Sequence, residues 1–271
     1  MNDHEKRLRL RALLTAAKGS LAPGVSDAMF ARLAADCGYA AVHLSGNAIH
    51  KNFCLVDENL LSAAEIAARA AQINEAVEIP LIVDGGPADK PNKLLTRAVR
   101  EFERAGAAAI RLEDSSAGSE KNSALPKAQM IDRIKNALDA RRDSALVIIA
   151  RCDTRPTEPL DKVLERITAY GEAGADAVGV QLTDVAEFRQ TGSTIRSPLV
   201  SMWPKTLMSA SEFLEIGFKI ALMPSSVPLA ALSAAREMLL ELRETATDRN
   251  YFKRQKEFPA TESWYKNLGR R

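Results

Sequence analysis

Four times in this chain an apolar helical pattern runs into a glycine and restarts within two residues as an apolar strand: DCGYAAV, RAGAAAI, EAGADAV and EIGFKIAL. The glycines are Gly38, Gly106, Gly174 and Gly217, and the first three are equally spaced. That spacing is two units of about 34 residues, the size of one strand–helix pair. A glycine just past the last periodic residue ends a helix by taking the left-handed conformation that a Cβ disfavours. Strand candidates between the helical stretches are 21–23, 40–45, 80–84, 107–113, 146–151, 176–181, 198–202 and 219–223. Eight alternations in one chain predict an α/β fold of the (β/α)8 TIM-barrel type over an open doubly wound sheet. Capping boxes open two of the helices, Ser62-x-x-Glu65 and Ser209-x-x-Glu212. After residue 225 a long Ala/Leu-rich helix leads into a polar C-terminal segment dotted with aromatics. We read residues 1–271 as a single domain, with the barrel over 20–245 and a C-terminal helical extension over 246–271.

Composition narrows the function classes. With 271 residues, 46% of them hydrophobic, the chain can bury a large core. No apolar run approaches the roughly 18 residues of a membrane span, and the charged N-terminus lacks a signal-peptide core. Cys37, Cys54 and Cys152 are odd in number and scattered, which suits reduced thiols in the cytoplasm. The net charge of +2 is unevenly spread, with basic residues in excess at both ends and a mildly acidic body between them. That is the footprint of neither a nucleic-acid nor a membrane binder. A small molecule is the expected partner.

In a parallel α/β barrel, ligands bind at the C-terminal ends of the strands. The second strand delivers Ser45, Gly46 and Asn47 there, the third Asp84 and the fourth Glu113 and Asp114. The fifth delivers Arg151, Cys152 and Asp153, the sixth Gln181 and the seventh Ser201, while Asp57 lies in the loop after the second. Asp57, Asp84 and Glu113 make an all-oxygen set suited to a hard cation such as Mg2+ or Mn2+. Ser45, the Gly46 N–H and the Arg151 fork make a complementary anion site, since a guanidinium grips a carboxylate with two parallel bonds. A cation beside a carboxylate clamp suits a 2-oxo acid, whose carbonyl and carboxylate oxygens chelate the ion while an enolate forms. His43, inside an apolar strand, reads as a hydrogen-bonded core residue. No paired histidines, nucleophile elbow or Gly-rich phosphate loop are present to support a zinc hydrolase, a serine hydrolase or a sugar-phosphate enzyme.

The segments PGVSDAMFARLAADCGYAAVHLSG, the Asp57 loop with LLSAAE, PLIVD, VREFERAGAAAIRLED, IIARCDTR and AYGEAGADAV together resemble the isocitrate lyase / phosphoenolpyruvate mutase superfamily over residues 20–245. The resemblance implies a (β/α)8 barrel, a dimer of dimers that exchanges its last barrel helix, and Mg2+-assisted chemistry on small 2-oxo or 2-hydroxy carboxylates. By position it implies Asp84, Asp57 and Glu113 as metal ligands and Ser45, Gly46 and Arg151 as the carboxylate-binding set. The strand-end residues Asn47, Gln181 and Ser201 are further expected around the substrate, Asp57 and Arg151 in catalysis, and Lys121 as the charged contact of a lid over residues 115–126. The C-terminal segment, with Phe258-Pro259 and Trp264-Tyr265, is most similar to the oxaloacetate decarboxylase branch.

Departures from the family pattern shape the expected reaction. Its acidic loop, Asp-x-Asp-x-Gly-Tyr-Gly, here reads DGGPADK, so Gly86 replaces the second acid, with Asp89 and Asp114 as possible substitutes. The lyase lid carries a catalytic Cys in Lys-Lys-Cys-Gly, whereas residues 115–126 read SSAGSEKNSALP. Gln181 and Ser201 stand where lyases carry Glu and Asn. Cleavage of isocitrate or methylisocitrate is therefore disfavoured. The expected activity is a Mg2+- or Mn2+-dependent lyase that decarboxylates oxaloacetate or a close 2-oxo acid. The alternatives are phosphonopyruvate mutase or hydrolase chemistry, and a non-catalytic barrel that binds a carboxylate. The expected protein is a cytoplasmic homo-oligomer.

Overall fold

The computed structural model describes residues 1–56, 60–87, 92–115, 124–155 and 157–268. Met1–Val227 and Pro228–Arg271 form two compact units. The first opens with α1 (Asp3–Thr15), β1 (Ser20–Val25), α2 (Ala28–Asp36), β2 (Val42–Leu44), α3 (Gly46–Asn52) and α4 (Ala63–Ala76). It continues with β3 (Leu81–Pro87), α5 (Asn92–Arg104), β4 (Ala109–Glu113), α6 (Lys127–Ala140), β5 (Val147–Cys152) and α7 (Leu160–Glu172). Then come β6 (Ala177–Val180), α8 (Val185–Thr194), β7 (Leu199–Met202), α9 (Ala210–Glu215) and β8 (Phe218–Met223). The chain runs on through α10 (Ser226–Thr245), α11 (Arg249–Arg254) and α12 (Phe258–Lys266).

All eight expected strands form, every ladder is parallel, and β1 pairs with both β2 and β8, so the sheet closes into a (β/α)8 barrel. Gly38, Gly106, Gly174 and Gly217 all carry positive φ. At Gly106 (φ 82°) the next N–H, of Ala107, turns back to the Phe102 carbonyl at 3.1 Å and closes the end of α5. A Cβ at Gly106 would lie 1.9 Å from the Asn74 side chain, so glycine is required twice over. Both expected capping boxes are present, at Ser62–Glu65 and Ser209–Glu212.

The inner face of the barrel is small and apolar, with Ala22, Ala41, Ala109, Ala177, Val147 and Ile149 among its residues. Leu10 and Leu14 of α1 join that cluster and fill the N-terminal mouth. Arg7 fixes α1 there, donating to the Ala107 and Glu103 carbonyls at 3.0 and 2.7 Å and pairing with Asp143 at 2.8 Å. With one mouth plugged, the other, at the strand C-termini, is left for chemistry. In the second unit, Arg254 of α11 pairs with Glu241 and Glu237 of α10 and lies over the Tyr251 ring. None of the α10 residues is buried, although Leu229, Leu232 and Leu239 lie along it.

Candidate active site

Side chains two apart on a strand share a face, and on four adjacent strands the inward face turns from apolar to polar near the C-terminal end. Ala41 is followed by His43, Ile82 by Asp84, Ala109 by Arg111 and Glu113, and Val147 and Ile149 by Arg151. Register then sets Asp84 beside Arg111 and Glu113 beside Arg151. A ladder of alternating charge results. Arg111 Nε lies 2.7 Å from Asp84 Oδ1, and its Nη2 lies 3.0 Å from Glu113 Oε1. Arg151 Nη1 lies 2.9 Å from the same Glu113 oxygen, and its Nη2 reaches Asp153 Oδ1 at 2.7 Å and also donates to Gln181 Oε1.

Asp84 is 7% exposed, and burial by itself would raise its pKa. The charge of Arg111, and then the charge and hydrogen bond of His43, outweigh that penalty and hold the carboxyl well below the usual range. His43 Nε2 lies 2.8 Å from Asp84 Oδ1, and the Gly46 N–H donates to Oδ2 at 3.1 Å. His43 is fully buried, as its apolar strand required. At Asp153 the balance is reversed: burial and the nearby charge of Glu113 exceed the attraction of Arg151, and the pKa is pushed up to about 6. Its ion-pair contact with Arg151 is close, yet Oδ1 receives no well-directed hydrogen bond.

Three sets of contacts in the structure involve residues the sequence reading singled out. The Gly46 N–H and the Arg151 fork, assigned to an incoming anion, are engaged here by Asp84, Glu113, Asp153 and Gln181. Ser201 is buried and accepts from the Val180 N–H at 2.9 Å, completing the β6–β7 ladder, in which only Val178 and Leu199 are registered partners. Asp114 is no substitute ligand: it is fully buried and accepts from the Asp153 N–H at 2.8 Å and the Tyr170 hydroxyl at 2.7 Å. Ser45 is buried at the start of α3 with no capping bond from its side chain, while Asn47 and Gln181 are exposed. Gly86 lies in the left-handed region (φ 76°), with open space where a Cβ would project. Asp57, Asp89 and Lys121 lie outside the described residues.

The residue the sequence reading missed is Arg111. Its signal was available: a lone charge in an apolar strand, two residues before Glu113 and so on the same face. Asp84 and Glu113 fit a hard divalent cation in donor type, and both contact Arg111 from adjacent strands. Three acids, the buried Asp84 and the partly buried Glu113 and Asp153, face two guanidiniums, Arg111 and Arg151. Among the described residues, however, no three His, Cys, Asp or Glu side chains converge as a ready-made cation cage. None of the described helices is long and apolar enough to cross a membrane.

The sequence model of phosphoenolpyruvate phosphomutase matches residues 10–243 of this chain. A 2-methylisocitrate lyase from Aeropyrum pernix is 35% identical over 253 residues, covering 90% of this chain and 82% of its own. A 2,3-dimethylmalate lyase from Eubacterium barkeri is 31% identical over 252 residues, covering 88% and 86%. The crystal structure of a phosphonopyruvate hydrolase in complex with oxalate and Mg2+ superposes with a TM-score of 0.85 at 23% identity, covering 98% of each chain.

Proposed function

The chain belongs to the phosphoenolpyruvate phosphomutase family, and on that footing we propose that it is a carbon–carbon lyase decarboxylating a small 2-oxo diacid such as oxaloacetate. The observation that carries this reading is the charge ladder Asp84–Arg111–Glu113–Arg151 at the open end of the barrel. A bound Mg2+ or Mn2+ would supply Lewis-acid stabilisation of an enolate oxygen, held by Asp84 and Glu113 with Asp57. The substrate carboxylate replaces Asp153 on Arg151 Nη2, the contact that lacks a directed hydrogen bond. Ser45 and Asn47, at the start of α3, are assigned further polar contacts to the substrate. With the substrate fixed, the bond from C3 to the departing carboxylate breaks, releasing CO2; its electron pair becomes the C2=C3 bond as the carbonyl π pair moves onto oxygen, giving the pyruvate enolate. Protonation at C3 completes the reaction. Asp153, with a pKa raised to about 6, is suited to deliver that proton near neutral pH.

Lys121 belongs to the segment between Ser115 and Ala124, residues that bridge to each other. We assign it the charged contact that helps exclude water from the bound substrate. Loss of turnover in Lys121→Ala with little change in melting temperature would support that role.

The names of the two lyase relatives favour a second reading within the same class, cleavage of a branched 2-hydroxy acid. That reaction needs another group in place of the lid Cys, since residues 115–126 contain no Cys. Incubation with Mg2+ and oxaloacetate, phosphonopyruvate, 2-methylisocitrate or 2,3-dimethylmalate, followed by NMR of the products, separates the readings. Pyruvate formed from oxaloacetate well above the uncatalysed rate is expected. Cleavage confined to the hydroxy acids would transfer the assignment to the second reading, and C–P chemistry on phosphonopyruvate would displace both. The proposal includes one functional domain, a cytoplasmic setting that suits three free thiols, and assembly into a homo-oligomer through α10.

A further inference from the structure

We infer that Arg111 makes cation binding conditional on the substrate's own carboxylate; the lyase reading above enters only in naming that anion. Asp84 and Glu113 are the two described acids placed to hold a cation, and Arg111 lies between them with one contact to each. The residue is 3% exposed, so little water screens its charge. A bare dication therefore meets acids that are already partly neutralised, with a fixed positive charge behind them. No further carboxylate offsets this at Gly86, where the backbone is left-handed and the space beside it open. Nor do three ligating side chains converge anywhere among the described residues. Arg111 Nη1 is buried without a hydrogen-bond partner among them, so the guanidinium keeps a donor even with both acids engaged.

A 2-oxo acid changes each of these conditions together. Its charge offsets Arg111 and Arg151, and its adjacent carbonyl and carboxylate oxygens add to the two protein acids. Mg2+ is commonly held in this way, by one or two carboxylates plus substrate oxygens. Cation and anion thus bind as a pair, and Arg111 sets how far each depends on the other. Linkage requires the dependence to be reciprocal.

The test uses the full chain, stripped of metal, with Mn2+ as a paramagnetic probe and oxalate as the anion. Free Mn2+ is followed by EPR. In the parent, saturating oxalate should tighten Mn2+ by at least about tenfold, within the usual range of coupling between sites. Arg111→Gln keeps hydrogen-bonding groups between the acids but removes the charge. It should bind Mn2+ alone at least about fivefold more tightly than the parent, with a smaller gain from oxalate. Gly86→Asp adds an acid without touching the core and should also tighten bare Mn2+. Equal Mn2+ affinity with and without oxalate in the parent overturns the inference, as does an unchanged oxalate gain in folded Arg111→Gln. Should Arg111→Gln lose its native circular dichroism, Gly86→Asp decides alone, and bare Mn2+ binding no tighter than the parent's overturns the inference. Turnover is scored separately. A shifted Mn2+ response with no 2-oxo acid consumed upholds the role of Arg111 without the lyase reading, and turnover with an unshifted response does the reverse.

Discussion

The hydroxyl of Tyr170, on α7, donates a 2.7 Å hydrogen bond to Asp114 Oδ2, just past the end of β4. Every polar group of Asp114 is committed in the same neighbourhood. Its N–H donates to the Arg151 carbonyl at 3.0 Å, its Oδ1 accepts from the Asp153 N–H, and its carbonyl accepts from the Leu125 N–H at 2.7 Å. One buried residue, through its carboxylate and its own backbone, thus fixes the backbone on both sides of Cys152 and holds Leu125. Burial, and then the charge of Asp114, push the Tyr170 phenol pKa up, so it remains a donor. Tyr170→Phe should leave Oδ2 without this donor and cost about 1–3 kcal/mol, the usual penalty for a buried group left unsatisfied. Chemical denaturation checks the magnitude, and a stability equal to the parent's would show that another donor takes over.

Arg151 is the residue on which substrate recognition is expected to depend. Arg151→Lys keeps the charge but loses the planar fork that reaches Glu113, Asp153 and Gln181 together. Since charge-assisted bonds contribute about 1.5–3 kcal/mol each, kcat/KM should fall by at least about tenfold. Steady-state kinetics on the active 2-oxo acid decides, and unchanged kinetics would make Arg151 a purely structural ion-pair member.

Asp153 gives a pH signature of defined sign. Its pKa is raised in the folded chain to about 6, above the ordinary aspartate range, because burial disfavours the ionised form. The protonated acid is therefore the one the fold favours. Its contribution to stability is fully present below about pH 4 and is lost as pH rises through about 6. Asp153→Asn should flatten this part of the profile, so that the difference in unfolding free energy between variant and parent grows from pH 4 to 6. Parallel profiles for the two proteins across that window would remove the assignment.

The helix α10 buries none of its residues, and Leu229, Leu232 and Leu239 are each more than half exposed. Apolar side chains so placed are expected to be covered by a second copy of the chain. Leu232→Glu should shift the protein to a smaller species in size-exclusion chromatography with light scattering. A parent that is already monomeric would end this reading.

The repeated helix–glycine–strand punctuation made the barrel legible in the sequence, because left-handed glycines and apolar strands are local requirements that each segment meets by itself. Asp84, Glu113 and Arg151 could be placed on one rim for a similar reason: in a parallel barrel, strand ends share a mouth whatever else the chain does. Which groups those residues contact was decided only by tertiary structure. Register set Arg111 beside Asp84 and Glu113 beside Arg151, and so paired these groups with one another in a ladder. It also took Ser201 into the sheet and Asp114 toward Tyr170. A linear pattern records which face a side chain occupies, but charge pairing depends on distances of about 3 Å between strands far apart in sequence. Burial raises the pKa of both carboxyls, and the neighbours decide the outcome: Arg111 and His43 hold Asp84 ionised, while Arg151 does not offset burial and the charge of Glu113 at Asp153.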